Sequence, residues 1–133
     1  ARVVGRGGGL AVSLAGATGG ADAAAVRRWR AAVPAECVRD DAELRALFAQ
    51  DFSARGAPVD AVFTPRTVAD LQAAVRAAAA EKVSLLPRGG GMSYTRGYLS
   101  SGGPAVVVDL RALSAIESID ERHRVAVVQA GCT

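Results

Sequence analysis

The apolar positions of this chain follow a helical rhythm in the first half and an extended one in the second. Between Asp22 and Val33, the residues Val26, Trp29 and Val33 recur three and four apart, with Arg27, Arg28 and Arg30 elsewhere on the wheel. That spacing predicts an amphipathic helix closed by Pro34. From Asp40 to Gln50 the rhythm repeats: Asp40 is placed to cap, Glu43 follows three residues on, and Leu44, Leu47 and Phe48 share a face. Both read as packing helices. Pro58 to Pro65 then encloses Val59, Ala61, Val62 and Phe63, a short apolar run bounded by prolines that predicts a buried strand. Thr67-Val68-Ala69-Asp70 opens a helix as a capping box, with Val68, Leu71, Val75 and Ala78 as its buried stripe; it runs to about Ala80, and Lys82 complements its C-terminus. Val83 to Pro87 is the next strand. Strand, helix and strand within about thirty residues form a βαβ unit, which predicts parallel strands with a right-handed crossover.

This unit delivers the most distinctive stretch of the chain, Leu85 to Gly97, Leu-Leu-Pro-Arg-Gly-Gly-Gly-Met-Ser-Tyr-Thr-Arg-Gly. Three glycines in a row weaken any regular element, so they mark a backbone that takes positive φ or lets something come very close. A row of unencumbered N–H groups can form a nest for an anion, with Ser93 and Thr95 adding hydroxyls at its edge. An ordinary surface turn accounts for the same residues, and local chemistry leaves both readings open. Beyond the loop, Ser101-Gly102-Gly103-Pro104 is a turn and Ala105 to Leu110 a strand buried on both faces. Ala112 to Ile119 reads as a connecting segment with Leu113, Ile116 and Ile119 turned inward. Asp120 to His123 reads as an exposed turn, with His123 solvated, and Arg124 to Gln129 as the returning strand. The sequence stops at Ala130-Gly131-Cys132-Thr133, directly after a strand, so the fold reads as truncated at its C-terminus.

Composition narrows the classes of function. At 133 residues, half of them hydrophobic, the chain has the size and apolar content of one domain with a real core. The net charge of +3 invites nucleic acid as a partner. However, basic residues are spread as part of a general Arg bias, with Lys82 the single lysine and Arg27-Arg28-Trp29-Arg30 the densest run, so no nucleic-acid role is assigned. Cys37 and Cys132 form no Cys-x-x-Cys or ligand pair and are read as free thiols, which favours a reducing, cytoplasmic setting. With His123 as the one histidine, neither a histidine metal cluster nor a usual catalytic triad can be assembled from this sequence. No apolar run approaches the roughly twenty residues that span a bilayer.

The sequence divides into a Gly/Ala-rich leader over residues 1–21, packing helices over 22–56 and a strand-rich unit over 57–133. The leader reads as disordered or as the remnant of an export signal, with Arg2 and Arg6 before the apolar run Leu10 to Ala17. Val3 to Leu10 resembles the glycine turn of a dinucleotide fold but lacks the Gly-x-Gly-x-x-Gly spacing.

Several pieces recur together in a known family. They are Ala49-Gln50-Asp51, Ala61-Val62-Phe63-Thr64-Pro65 with the helix from Thr67, and Leu86-Pro87-Arg88-Gly89-Gly90-Gly91-Met92-Ser93-Tyr94-Thr95. Val107-Val108-Asp109-Leu110 with Leu113 to Ile119, and Val127 to Thr133, complete the set. In this order and spacing the stretch from Cys37 to Thr133 resembles the N-terminal part of the PCMH-type FAD-binding domain of the vanillyl-alcohol oxidase and D-lactate dehydrogenase-like flavoproteins. The implied fold is α+β: a βαβ unit plus further strands forming the first subdomain, preceded by two helices.

The resemblance implies that Arg88, Gly89, Gly90, Gly91, Met92, Ser93 and Tyr94 hold the FAD pyrophosphate, and that Gly131 passes near the cofactor where a side chain would obstruct it. Some members carry a histidine at the position of Met92 and bond it to the flavin. A thioether cannot make that bond, so the FAD is expected to be non-covalent. The implied function is the FAD-binding portion of an oxidoreductase that takes a hydride from an alcohol or 2-hydroxy acid of small size and passes electrons to an acceptor. The substrate domain and the catalytic residues are not assignable here. A nucleotide- or phosphate-binding module without turnover, or an inactive fragment, is the alternative.

Overall fold

The computed structural model of the chain describes residues 20–133. The readings made above on residues 1–19 lie outside them. Two helices precede the parallel strands: α1 (Gly20–Ala31) and, after a 3₁₀ turn at Ala35–Cys37 and the short strand β1 (Val38–Arg39), α2 (Ala42–Phe48). Then come β2 (Ala61–Phe63), α3 (Val68–Glu81), β3 (Ser84–Arg88), β4 (Ala105–Asp109), a 3₁₀ turn at Leu110–Ala112, and the hairpin β5 (Ile116–Asp120) and β6 (Val125–Val128). The main sheet has the order β1-β2-β4-β3, with β1 antiparallel and the other three parallel, and β5 pairs with β6 in a separate antiparallel ribbon.

The strand nature of β4 explains this order. All five of its residues are buried, as an uninterrupted valine run requires. Side chains alternate across the sheet: Val106 and Val108 join Ala61 and Phe63 beneath α1 and α3, whereas Ala105 and Val107 join Val62 and Val59 against Phe48 of α2. The sheet is therefore covered on both faces. On the α1/α3 side the largest fully buried side chain is Trp29, which meets Phe63 edge-on at 5.6 Å between centroids and donates its indole N–H to the Ala74 carbonyl at 3.1 Å.

Several sequence expectations shift, each for a local reason. The βαβ unit forms with parallel strands, but β3 does not lie beside β2, because β4 inserts between them and pairs with both. The cap of α2 is Asp41, whose carboxylate accepts from the Leu44 N–H at 3.1 Å, while Asp40 instead pairs with Arg30 at 2.9 Å. Leu47 of that helix is exposed. In α3 the Thr67–Asp70 capping box is present, but Val68 and Val75 face out, and the buried face is Ala74 and Ala78, flanked by Leu71 and Ala77. Alanines there let the helix approach the bulky Trp29. Lys82 ends α3 in the left-handed region, at φ 56°. Residues 116–120 form a strand rather than a connector, with Ile116 and Ile119 exposed while Leu113 is buried as expected. His123 sits in the exposed turn, its ring nitrogen 2.7 Å from Asp120.

The Trp29 anchor carries a measurable prediction. Trp29→Ala removes the largest buried side chain joining α1, α3 and the sheet, so the chain should lose about 3–5 kcal/mol of stability in urea unfolding followed by circular dichroism.

Candidate functional site

The glycine loop leaves the C-terminal end of β3, and parallel sheets place ligands at that edge of their strands. Arg88 is the last residue of β3, in register with Asp109 at the end of β4. The sequence had placed Arg88 in the loop itself. As a strand residue, its guanidinium lies 4.5 Å from the centroid of the Phe48 ring and 5.0 Å from that of Tyr98. Its Nη1 is inaccessible to solvent and has no hydrogen-bond partner among the described residues.

From Gly90 onward the backbone is unencumbered: among the described residues, no hydrogen bond engages the N–H groups of Gly90, Gly91, Met92 or Ser93. The loop is fixed by its carbonyls and by its exit instead. Tyr98 donates its hydroxyl to the Gly91 carbonyl at 2.7 Å. The Ser93 hydroxyl oxygen accepts from the N–H groups of Thr95 at 3.4 Å and Gly97 at 3.3 Å, which leaves its proton free to donate elsewhere. Asp51 accepts from the N–H groups of Ser53 and Ala54 at 2.8 Å and from that of Arg96 at 3.1 Å, so the segment after α2 is tied to the loop exit. Burial acts to raise the Asp51 pKa, but these donors outweigh it and hold the carboxyl below its ordinary range. Met92 is 74% exposed, and Tyr94 is exposed with its ring edge-on to Phe52 at 5.2 Å between centroids.

The second predicted stretch is brought to the same place. The turn at Ala130–Thr133 returns beside the loop: a side-chain carbon built on Gly89 would lie 3.4 Å from the Ala130 carbonyl, and one on Gly90 3.9 Å from the Thr133 methyl. Gly131 is buried and donates its N–H to the Leu113 carbonyl at 2.8 Å. A carbon added there would run into the backbone of the 3₁₀ turn, 2.7 Å from the Arg111 Cα. What excludes a side chain at Gly131 is therefore the protein's own chain.

Sequence reasoning missed Tyr98, the ionic cluster under the loop and the part Phe48 plays there. Asp109 is buried, with its oxygens 2.9 Å and 2.7 Å from the Arg111 guanidinium, and the same carboxylate caps the 3₁₀ turn through the Arg111 N–H at 3.2 Å. Burial works to raise its pKa, yet Arg111, with a smaller contribution from Arg88, more than offsets this and holds the carboxyl below the usual carboxylate range. The only hint in the sequence is the i, i+2 spacing of Asp109 and Arg111. Tyr98 carries no pattern at all.

The chemistry this arrangement offers is anion binding on backbone N–H groups. Among the described residues, no group of three His, Cys, Asp or Glu is placed to hold a metal ion. A separate cavity of about 260 Å³ along α2, lined by Ala42, Arg45, Ala46, Ala49, Pro58 and Val59 among others, includes no residue of the loop. No helix of the described residues is long and apolar enough to cross a membrane.

Comparison with known proteins bears on this site. The profile of a family described as FAD binding domain matches residues 59–133, more than half of the chain. No curated protein matches the sequence. Among solved structures, p-cresol methylhydroxylase with substrate bound is similar at a TM-score of 0.68 and 22% identity, covering 89% of this chain and 24% of its own. Alkyldihydroxyacetonephosphate synthase is similar at a TM-score of 0.69 and 21% identity, covering 83% and 24%. A BBE-like 1 variant from Physcomitrella patens reaches 0.61 and 27%, covering 80% and 23%. The chain thus spans about a quarter of the length of these structures, which share its α+β fold.

The pairing of buried Asp109 with the exposed Arg111 predicts an acid response. A depressed carboxylate pKa stabilises the fold above the unfolded value of about 4, and that contribution is lost as pH falls through the lower folded value. Asp109→Asn should cost about 1–3 kcal/mol at pH 7. The gap from the parent chain should narrow below about pH 4 in urea titrations run at several pH values.

Proposed function

The chain belongs to the FAD binding domain family, and on that premise we propose that it is the pyrophosphate-binding portion of an FAD-dependent oxidoreductase. The observation that carries the reading is the run of unengaged N–H groups from Gly90 to Ser93 at the C-terminal end of a parallel strand. Anionic oxygens are the natural partners of such a run. In this reading Gly89, Gly90 and Gly91 bring the backbone against the diphosphate, the N–H of Met92 continues the nest, and Ser93 donates its free hydroxyl proton. Tyr94 borders the site, Arg88 supplies positive charge from below, and the turn containing Gly131 closes the adjacent wall. When bound, the flavin supplies the hydride chemistry, and the chain supplies position and charge.

Met92 supports non-covalent binding, because its thioether has no nucleophilic nitrogen to offer a flavin ring. The donor we assign to the whole protein is a small alcohol or 2-hydroxy acid, oxidised where further chain covers the ring. The unpaired thiols of Cys37, which is buried with its pKa raised by that burial, and Cys132, which is half-buried, support a reducing, cytoplasmic setting.

The three central glycines differ in what they can report, and this selects the test. A side chain on Gly91 would meet the Arg88 guanidinium at 2.8 Å on a backbone at φ +82°, whereas one on Gly90 meets nothing nearer than 3.9 Å. Gly90→Val should therefore fold normally while blocking a ligand that approaches the backbone. The purified chain should bind FAD in absorbance titrations and release it into the supernatant on acid precipitation. Gly90→Val should weaken that binding at least tenfold with an unchanged melting temperature. A parent chain that ignores FAD, or a Gly90→Val variant of equal affinity, overturns the reading.

A further inference from the structure

We infer that Arg88 is a positioning residue for the glycine loop: its guanidinium, packed against the rings of Phe48 and Tyr98, sets the path of the backbone through Gly91 from beneath and does not meet a ligand on the loop's outer face. The guanidinium carbon lies over both rings, 4.5 Å from the Phe48 centroid and 5.0 Å from the Tyr98 centroid. One edge of the guanidinium is then directed at Gly91. A carbon built on that glycine would lie 2.8 Å from Nη2 and 2.9 Å from Nε, so a side chain there would displace the guanidinium. What holds the guanidinium in place is its contact with the two rings, since leaving them forfeits the cation–π attraction to both.

The Tyr98 side chain also fixes the loop. Its hydroxyl donates to the Gly91 carbonyl at 2.7 Å. The peptide bonds of the described residues are trans, and in a planar trans peptide the carbonyl and the following N–H point in opposite directions. A Gly91 carbonyl drawn toward Tyr98 therefore turns the Met92 N–H away from Tyr98. Arg88 backs the α-carbon and Tyr98 pins the carbonyl, and together they set the orientation of an N–H group in the nest. Phe48, from α2, ties this arrangement to the core face formed by Val62, Ala105 and Val107.

This inference goes beyond the FAD reading and rests on it only for its effect on affinity; the shaping of the loop belongs to the free chain. The test compares Arg88→Lys, which keeps the charge but loses the planar fork, with Tyr98→Phe, which loses one hydroxyl. In ¹⁵N relaxation of the unliganded chain, both should lower the order parameters of the Gly90, Gly91 and Met92 amides from the ~0.85 of rigid backbone to below about 0.6. The β4 amides should be unchanged. Affinity for added FAD should fall at least tenfold in both.

An Arg88→Lys loop as ordered as the parent's overturns the inference, whatever happens to FAD. So does an affinity that follows the charge alone, kept in Arg88→Lys and lost in Arg88→Met. If Arg88→Lys does not fold, Tyr98→Phe decides by the same relaxation measurement. A parent chain that binds no FAD sinks the reading of function and leaves the relaxation result to stand on its own.

Discussion

A strand buried along its whole length has to be flanked on both edges and covered on both faces, and β4 is such a strand. Each of its neighbours follows from that constraint. β2 and β3 take its two edges in parallel, α1 and α3 cover Val106 and Val108, and α2 with Val59 covers Ala105 and Val107. At roughly 25 cal/mol per Å² of apolar surface, a run of buried valines contributes substantially to stability in a chain poor in aromatic residues. Register then does the rest. With Leu86 opposite Val107 and Arg88 opposite Asp109, β3 can end only where β4 ends, and the glycines must emerge at that edge.

The same register puts a cation and an anion side by side at the end of the sheet, where neither is well solvated. Asp109 meets the difficulty through Arg111, whose guanidinium gives it two contacts and whose backbone it caps. Arg88 meets it through aromatic faces. The two solutions share a component, since Arg111 also lies 5.7 Å from the Phe48 centroid, on the ring that Arg88 stacks against. The base of the loop is thus a layer of alternating charge and π-surface rather than a continuation of the apolar core. Such a layer is directional where apolar packing is not, and direction is what a backbone nest requires.

The parts of this architecture legible in the sequence are those governed by periodicity. The valine run, the capping box at Thr67 and the helix around Trp29 follow from two short-range rules, and the structure agrees with them. The failures lie where a long-range partner decides. Val68 and Val75 fit the buried stripe of α3 by hydrophobicity, but the neighbour there is Trp29, and only an alanine face lets the helix come close enough for the indole to reach the Ala74 carbonyl. Ile116 and Ile119 fit an inward-facing connector, yet they lie on a two-stranded ribbon whose residues are all exposed. Asp40 and Asp41 are equivalent caps by propensity, and a distant Arg30 engages one of them. The candidate site divides the same way: glycines and hydroxyls announce a loop that can hold an anion, while Tyr98, which fixes its shape, is an isolated aromatic with no periodic partner.

Glycine is where the sequence is most easily over-read, because one residue type answers to different pressures. Gly91 is required by its own backbone, which sits at positive φ against a guanidinium. Gly131 is required by a neighbouring segment, since the chain at Leu110 and Arg111 leaves it no room for a side chain. Gly90 answers to neither pressure: its surroundings would accept a methyl group, and its N–H has no partner among the described residues. Of the two adjacent glycines, Gly91 is held to glycine by its backbone, whereas nothing in the surroundings of Gly90 demands it. Gly90 is therefore the residue at which binding can be separated from folding.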